Sequence, residues 1–515
     1  MVFDDIVLSI PQRFRPEKAK DYETVFHFEI KDNKGWPFTV TISKGTCTLK
    51  KGLEGKPACV VKTKSDTYVA LETGKENPQM ALMFGKVKVS NLSEMIRFSK
   101  LFHRYGKQLE ATTPLPSYIP SRKPTTGPLK GLKVVDFTRL LPGPMATMLM
   151  AEMGAEVIKI EDPSAPDYIR NFPPFIGDHS AYYLAVNRSK RSLAIDYNTE
   201  SGKEVLYQLI KEADVLMEQF RPGVMQQLGF GYDDVKKLNP KLVYVSITGY
   251  GQDSPYAQRA GHDLNYIAYA GLLGITGNEQ SPSIPGGQIA DIAGGGYMAV
   301  NACLAALVER SVSGEGQWVD VSMTDCMVPL SAFAIAEHAA GKSVKRGGQA
   351  LSGGLANYNV YRCADGAYMA LGALEPKFWE GFCDLVDKPE WKHRLLEEDQ
   401  RELKSEVAQL FAEKTKAAWI SLANQADICL SPVHDIADLV NDPHMVQRGL
   451  LTEQTTPNGE HYKMAGVPIK FLNTPAAVQW EPPMLGEDTI AILQEMGLQE
   501  NAIKTLLQER IVLGA

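Results

Sequence analysis

From residue 132 onward the chain alternates short apolar runs with amphipathic ones, and that order permits few kinds of sheet. Leu132-Lys133-Val134-Val135-Asp136-Phe137 reads as a buried strand. Gly143-Pro144 open a helical run from Met145 to Met153, Gly154 stops it, and Val157-Ile158-Lys159-Ile160 forms the next strand. A helix between two strands returns the chain to the same edge, so the strands are parallel and the crossover right-handed. The alternation continues through Ser192-Leu193-Ala194-Ile195, a helix over 201–212, Val215-Leu216-Met217, a helix over 223–228 and Leu242 to Ile247. The expected core is an open, mainly parallel α/β sheet. No G-x-G-x-x-G follows the first strand and there is no P-loop, which disfavours dinucleotide and nucleoside-triphosphate chemistry.

Around this core the 515 residues divide further. The stretch ATTPLPSYIPSRKPTTGP, 111–128, is rich in proline and hydroxyl residues and reads as an extended linker. It separates a front domain, 1–110, from a large α/β domain over 129–330. Beyond that the regular alternation fades. Arg346-Gly347-Gly348 and Gly353-Gly354 precede a strand at Tyr368-Met369-Ala370-Leu371, and 400–450 is mostly helical, which marks a smaller domain over 331–450. The C-terminal segment, 451–515, is expected to return to the large domain. A net charge of −7 gives no general attraction to nucleic acid. The seven cysteines are scattered and include no C-x-x-C pair, which fits reduced thiols better than disulfides or zinc. No cleavable leader opens the chain and no apolar run reads as long enough to span a bilayer, so the cytoplasm is the expected location.

In the front domain, Phe26 to Ile30 and Phe38 to Ile42 alternate apolar and polar residues around the turn-forming Asp32-Asn33-Lys34-Gly35, a β-hairpin pattern. Cys59 to Thr63 continues the sheet, a helix is expected over Tyr68–Lys75, Lys86 to Val89 is a short strand, and Leu92 to Phe102 is an amphipathic helix. The run TYVALETGKENPQMALMFGKVKVSNLSEMIRFSKLF resembles the second half of a sterol-carrier-type lipid-binding domain. The resemblance implies an apolar tunnel for a lipid or acyl chain; the alternative is a small core with no ligand.

Three short runs set an ionisable side chain beside small residues: Gly261-His262-Asp263, Ala290-Asp291 before Gly294-Gly295-Gly296, and Leu374-Glu375-Pro376. Glycines admit close approach of a ligand, and a helix start offers N–H groups to a developing anion. Each has a plainer reading: His262 as a surface or capping residue, Asp291 as a helix N-cap, Glu375-Pro376 as a turn.

Residues 128–515 are similar to the class III CoA-transferase family. The resemblance rests on Asp136-Phe137-Thr138-Arg139 through Pro142-Gly143-Pro144, Gly154-Ala155-Glu156-Val157-Ile158-Lys159, Asn187 to Ser192, Phe220-Arg221-Pro222-Gly223, Ser246 to Gly251, and Gly314 to Asp320. Within it, the runs around His262, Asp291 and Glu375 resemble the α-methylacyl-CoA racemase branch. That resemblance implies a Rossmann-like sheet domain with a smaller α+β domain, an interlocked homodimer, and an acyl-CoA substrate with no cofactor beyond its CoA moiety and no metal. His262 and Asp291 become the acid/base pair and Glu375 the partner of His262. Racemisation beside a thioester needs one base on one face and one acid on the other, and two different groups supply that. Arg139, Arg188, Lys190, Arg191 and Arg221 become candidates for the CoA phosphates, with Gly143 close to the ligand and the Gly294 to Gly296 amides as donors to an enolate. The competing reading is a CoA-transferase with Asp291 as nucleophile; Asp136 to Arg139 favours it. A third is a lipid carrier without activity.

Overall fold

The computed structural model describes residues 2–514 apart from 20–21, 74–75, 77, 84, 100, 103–104, 106–121 and 457. The front domain is a five-stranded sheet of order β3-β2-β1-β4-β5, with β1 Thr24–Ile30, β2 Phe38–Ser43, β3 Thr46–Lys51, β4 Cys59–Thr63 and β5 Val87–Val89. The expected hairpin is β1–β2, with Phe28 opposite Phe38, and β4 runs parallel to β1 on its other side. Strand β3 escaped the sequence reading because it is a half-exposed edge: only Cys47 and Leu49 point inward and both lysines stay in water. The helix expected over 68–75 is α1, Ser65–Glu72, and Lys75 lies outside the described residues. One sheet face is packed with aromatic rings. Phe28 stacks on Phe38 at 4.6 Å, and Phe98, from helix α2 (Leu92–Ser99), lies 4.1 Å from Phe26.

Of the 111–128 stretch, residues 111–121 lie outside the described residues; the rest is fastened to the large domain. Arg122 donates two 3.0 Å hydrogen bonds to the Asp488 carboxylate, and the Thr126 hydroxyl donates to the Pro475 carbonyl. Gly154 is required here twice. It ends helix α3 (Pro142–Glu152) with φ +98°, and a Cβ would sit 2.3 Å from the Thr126 carbonyl oxygen.

The large sheet has the order β11-β10-β9-β6-β7-β8-β17, built from β6 Lys133–Asp136, β7 Glu156–Glu161, β8 Arg191–Ile195, β9 Val215–Glu218, β10 Val243–Thr248, β11 Trp318–Ser322 and the C-terminal β17 Val512–Leu513. Every pairing is parallel except β8–β17. The sheet is buried on both faces. Val134, Met217 and Val245 belong to one core layer, Val135, Leu216 and Tyr244 to the other. Each such side chain contributes roughly 1.5–3 kcal/mol on burial. The chain winds outward from β6 to β8, then crosses back to β9 and winds the other way. β6 and β9 are therefore neighbours at the topological switch point, where an open α/β sheet offers its binding crevice beyond the carboxyl ends of the strands.

Residues 290–313 form one continuous helix: a π-helical start, Ala290–Tyr297, running into α5, Met298–Ser313. Of its 24 residues, the most apolar 18 have a mean hydropathy of 1.4, which by length and composition alone would suffice to cross a bilayer, as does many a core helix of a folded domain. Ala299, Val300, Cys303 and Ala306 are buried in the core of the large sheet, while Val308 and Val312 are 68% and 86% exposed. A smaller unit follows, with the antiparallel strands β12 Tyr358–Arg362, β13 Tyr368–Gly372 and β14 Leu430–Pro432 and a core centred on Trp379, Phe382, Phe411 and Trp419. A hairpin, β15 Leu451–Thr455 and β16 His461–Ala465, leads to the returning C-terminal segment.

Candidate active site

The crevice at the switch point is built from the loops after β6 and β9. Gly143 ties them together: its amide donates to Gln219 Oε1 at 2.8 Å, and a Cβ there would lie 2.3 Å from the Thr138 Cβ. Gly143 thus serves internal packing between the two loops. Arg139 and Arg221 flank the crevice, one on each loop. Arg139 is half-buried, donates to the Tyr197 hydroxyl at 2.6 Å and lies over the Phe220 ring; Arg221 is exposed.

Arg188, Lys190 and Arg191, expected to face phosphates, are enclosed instead. Arg188 pairs with Glu152, Lys190 with Asp136 at 3.2 Å, and Arg191 with Glu156 and Glu495 at 2.6 Å each, and all three cations are 0–2% exposed. Nor do they form a solvated basic surface. A cation removed from water needs a partner charge, and the carboxylates on α3, β6 and β7 supply it. The burial of Lys190 lowers its affinity for a proton, to about 8, against the opposing pull of Asp136.

Beyond the carboxyl ends of β10 and β11 two helix starts meet. His262 is the exposed N-cap residue of α4, Asp263–Tyr269, and its amide donates to Asn265 Oδ1 at 3.1 Å. Asp263 reaches across to the other start, where its Oδ1 accepts the amides of Ala290 at 2.6 Å and Asp291 at 3.1 Å. Asp291 is therefore not the cap of its own helix; Asp263 is. Sequence reasoning assigned Asp263 no role, although an acid in a first helical turn beside a candidate base was the available signal. The Asp291 carboxyl itself makes no hydrogen bond among the described residues. Burial and the neighbouring Asp263 charge push it up to about 7. The π-helical start is a geometry found often at functional sites.

Gly294, Gly295 and Gly296 lie inside the helix and are buried, so they do not present a helix start to a ligand. A Cβ at Gly295 would lie 2.5 Å from the Pro142 Cβ, and the other two press on Met323 or Met145. The glycines let this helix sit against α3 and α6 (Met323–Met327). Tyr266 completes the floor: its hydroxyl donates to the Gly261 carbonyl at 2.6 Å and feels the charges of both Asp291 and Arg221. Tyr250, Tyr256 and Tyr269 extend an aromatic wall, with Arg259 stacked 4.0 Å above Tyr256. Glu375 is not part of this group. It is an exposed N-cap residue of α7, Pro376–Leu385, in the smaller unit, and among the described residues it has no hydrogen bond to His262. Close to the crevice, Glu218 ends β9. Its buried carboxyl accepts the Phe220 amide at 2.7 Å and is pushed up to about 7 by burial. Among the described residues no cluster of His, Cys, Asp and Glu is arranged to hold a metal.

Comparison with known proteins sets this geometry in a family. Human succinyl-CoA:glutarate CoA-transferase is 33% identical over 396 residues, which cover 75% of this chain and 90% of that protein. Human alpha-methylacyl-CoA racemase is 34% identical over 390 residues, covering 75% and 97%. Among solved structures, a CAIB/BAIF family protein from Brucella suis superposes with a TM-score of 0.64 at 31% identity, covering 72% of this chain and all of that one. Residues 9–102 match the SCP-2 sterol transfer family and residues 129–489 match CoA-transferase family III. The chain belongs to CoA-transferase family III, with a sterol-carrier domain ahead of the family's fold.

Proposed function

We propose that the protein racemises or epimerises 2-methyl-branched acyl-CoA thioesters. The observation that carries this is the joining of two proton-handling groups at one place: His262 and Asp291 stand at helix starts that Asp263 bonds together. One of the pair removes the α-proton, and the C–H electrons pass to the thioester oxygen as an enolate. The other delivers its proton to the opposite face and the enolate electrons return to the α-carbon. The two groups end with their protons exchanged, and water resets them. An Asp291 carboxyl that holds its proton up to about pH 7 is ready to donate; a carboxyl that attacks a thioester must be ionised.

Arg139 and Arg221 are the cations left at the crevice to receive the CoA phosphates. Glu375 meets His262 in this proposal only in a homodimer, where the smaller unit of one chain covers the site of its partner. The front domain would hold the acyl chain at a high local concentration. Removing residues 1–121 is then expected to raise KM for long-chain substrates while sparing short ones.

The second reading, CoA transfer through an Asp291 anhydride, has its own support. Human relatives named as a transferase and as a racemase each cover 75% of the chain, at 33% and 34% identity. One experiment separates the two. One enantiomer of 2-methyldecanoyl-CoA is incubated with the full chain in heavy water, without acceptor acid, and the α-hydrogen is followed by NMR. Deuterium entry with inversion, lost in His262→Ala and Asp291→Ala, supports the racemase. Absence of exchange, with CoA movement once a free carboxylic acid is added, establishes the transferase.

A further inference from the structure

Asp263 lies at the first position of α4, next to His262, yet its side chain acts on the other helix. One oxygen, Oδ1, takes both the Ala290 and the Asp291 amides, at 2.6 and 3.1 Å. Those are two of the first N–H groups of the π-helical start, which have no partner within the helix. The bonds fix the backbone from which the Asp291 side chain projects, and they hold a full negative charge beside its carboxyl. We infer that Asp263 is a positioning residue for proton transfer at Asp291: it sets the place of that carboxyl through the backbone and holds a like charge beside it. The inference rests on the proton-transfer reading of the site.

Other groups near the π-helical start do not substitute for it. Tyr266 and Tyr269 project from α4, Asp325 and Cys326 from α6, Asp320 from β11, and His262 precedes Asp263. Of the charged groups among these, Asp263 is the one whose charge acts on Asp291. The carboxylate has a structural use, capping, and an electrostatic one, and the two come apart on substitution. Asparagine keeps an Oδ1 able to accept both amides and removes the charge; alanine removes both.

The test is the pH dependence of α-deuterium exchange into one enantiomer of 2-methyldecanoyl-CoA by the full-length wild type, Asp263→Asn and Asp263→Ala. In Asp263→Asn the limb of the profile that reports Asp291 is expected to move to lower pH by roughly one unit, as removal of an adjacent like charge requires, with melting unchanged. In Asp263→Ala, kcat is expected to fall at least tenfold with little change in KM, because the carboxyl is misplaced while the CoA contacts stand. An Asp263→Asn profile superimposable on that of an active wild type overturns the electrostatic role even if the alanine variant fails to fold. Absence of exchange in the wild type itself overturns the proton-transfer reading and this inference with it.

Discussion

Replacing Asp291 by asparagine is expected to inactivate the enzyme and to stabilise it, and the stabilisation is expected to grow with pH. The carboxyl is raised from 3.8 to about 7 by burial first and by Asp263 second, and it makes no hydrogen bond that asparagine would lose. In the unfolded chain it ionises near pH 4; in the folded chain it keeps its proton up to about pH 7. The folded state therefore binds the extra proton between those values, and wild-type stability falls as pH rises from about 4 to about 7, then levels. Three units at about 1.36 kcal/mol each give roughly 4 kcal/mol. The group retains some contact with water, and halving for screening leaves about 2 kcal/mol. Asparagine does not titrate, so it escapes this loss. At pH 5 the variant should melt close to wild type; at pH 8 it should melt a few degrees higher. Scanning calorimetry of both proteins at pH 5, 6, 7 and 8, beside the deuterium-exchange assay, measures both effects. A difference in melting that stays constant from pH 5 to pH 8, or a variant less stable at pH 8, would refute the reasoning.

Three further outcomes are expected. Arg188→Met leaves Glu152 buried without its partner and should lower stability by about 3–5 kcal/mol; adding Glu152→Gln should restore much of it, read by denaturant titration. Arg221→Ala removes an exposed cation at the crevice, and steady-state kinetics should show KM raised about tenfold or more with kcat nearly constant. Mixing inactive His262→Ala with inactive Glu375→Gln after joint refolding should recover up to about a quarter of wild-type activity if partner chains share each site, because a mixed dimer then holds one intact site; no recovery would place the whole site within one chain.

Much of the fold was legible because regular elements write their environment as a period. Strands β6, β9 and β10 are apolar on both faces, and the glycine and proline flanking α3 mark its ends, so the parallel sheet followed from residues 132–247 alone. The hairpin β1–β2 was equally clear from its alternation. Where exposure blunts the period, as on the edge strand β3, the reading failed. Strand β11 was missed for a related reason: its Trp318, Val319 and Asp320 are only partly covered.

The site divides along the same line. The sequence by itself determined that His262 and Asp291 stand beside small residues at element ends, and that Arg139 and Arg221 follow strands. Tertiary structure alone decided which charges are enclosed and which stay exposed. Arg188 and Lys190 sit in the connection before β8 and Arg191 opens that strand, so no period reveals their direction, and the carboxylates that enclose them come from residues 136, 152, 156 and 495. It also decided that Asp263 caps a helix 27 residues downstream, and that Glu375 stands on a separate unit from His262. Local patterning encodes backbone geometry and the side that an element buries; the pairing of charges depends on which distant segments the packed core brings together.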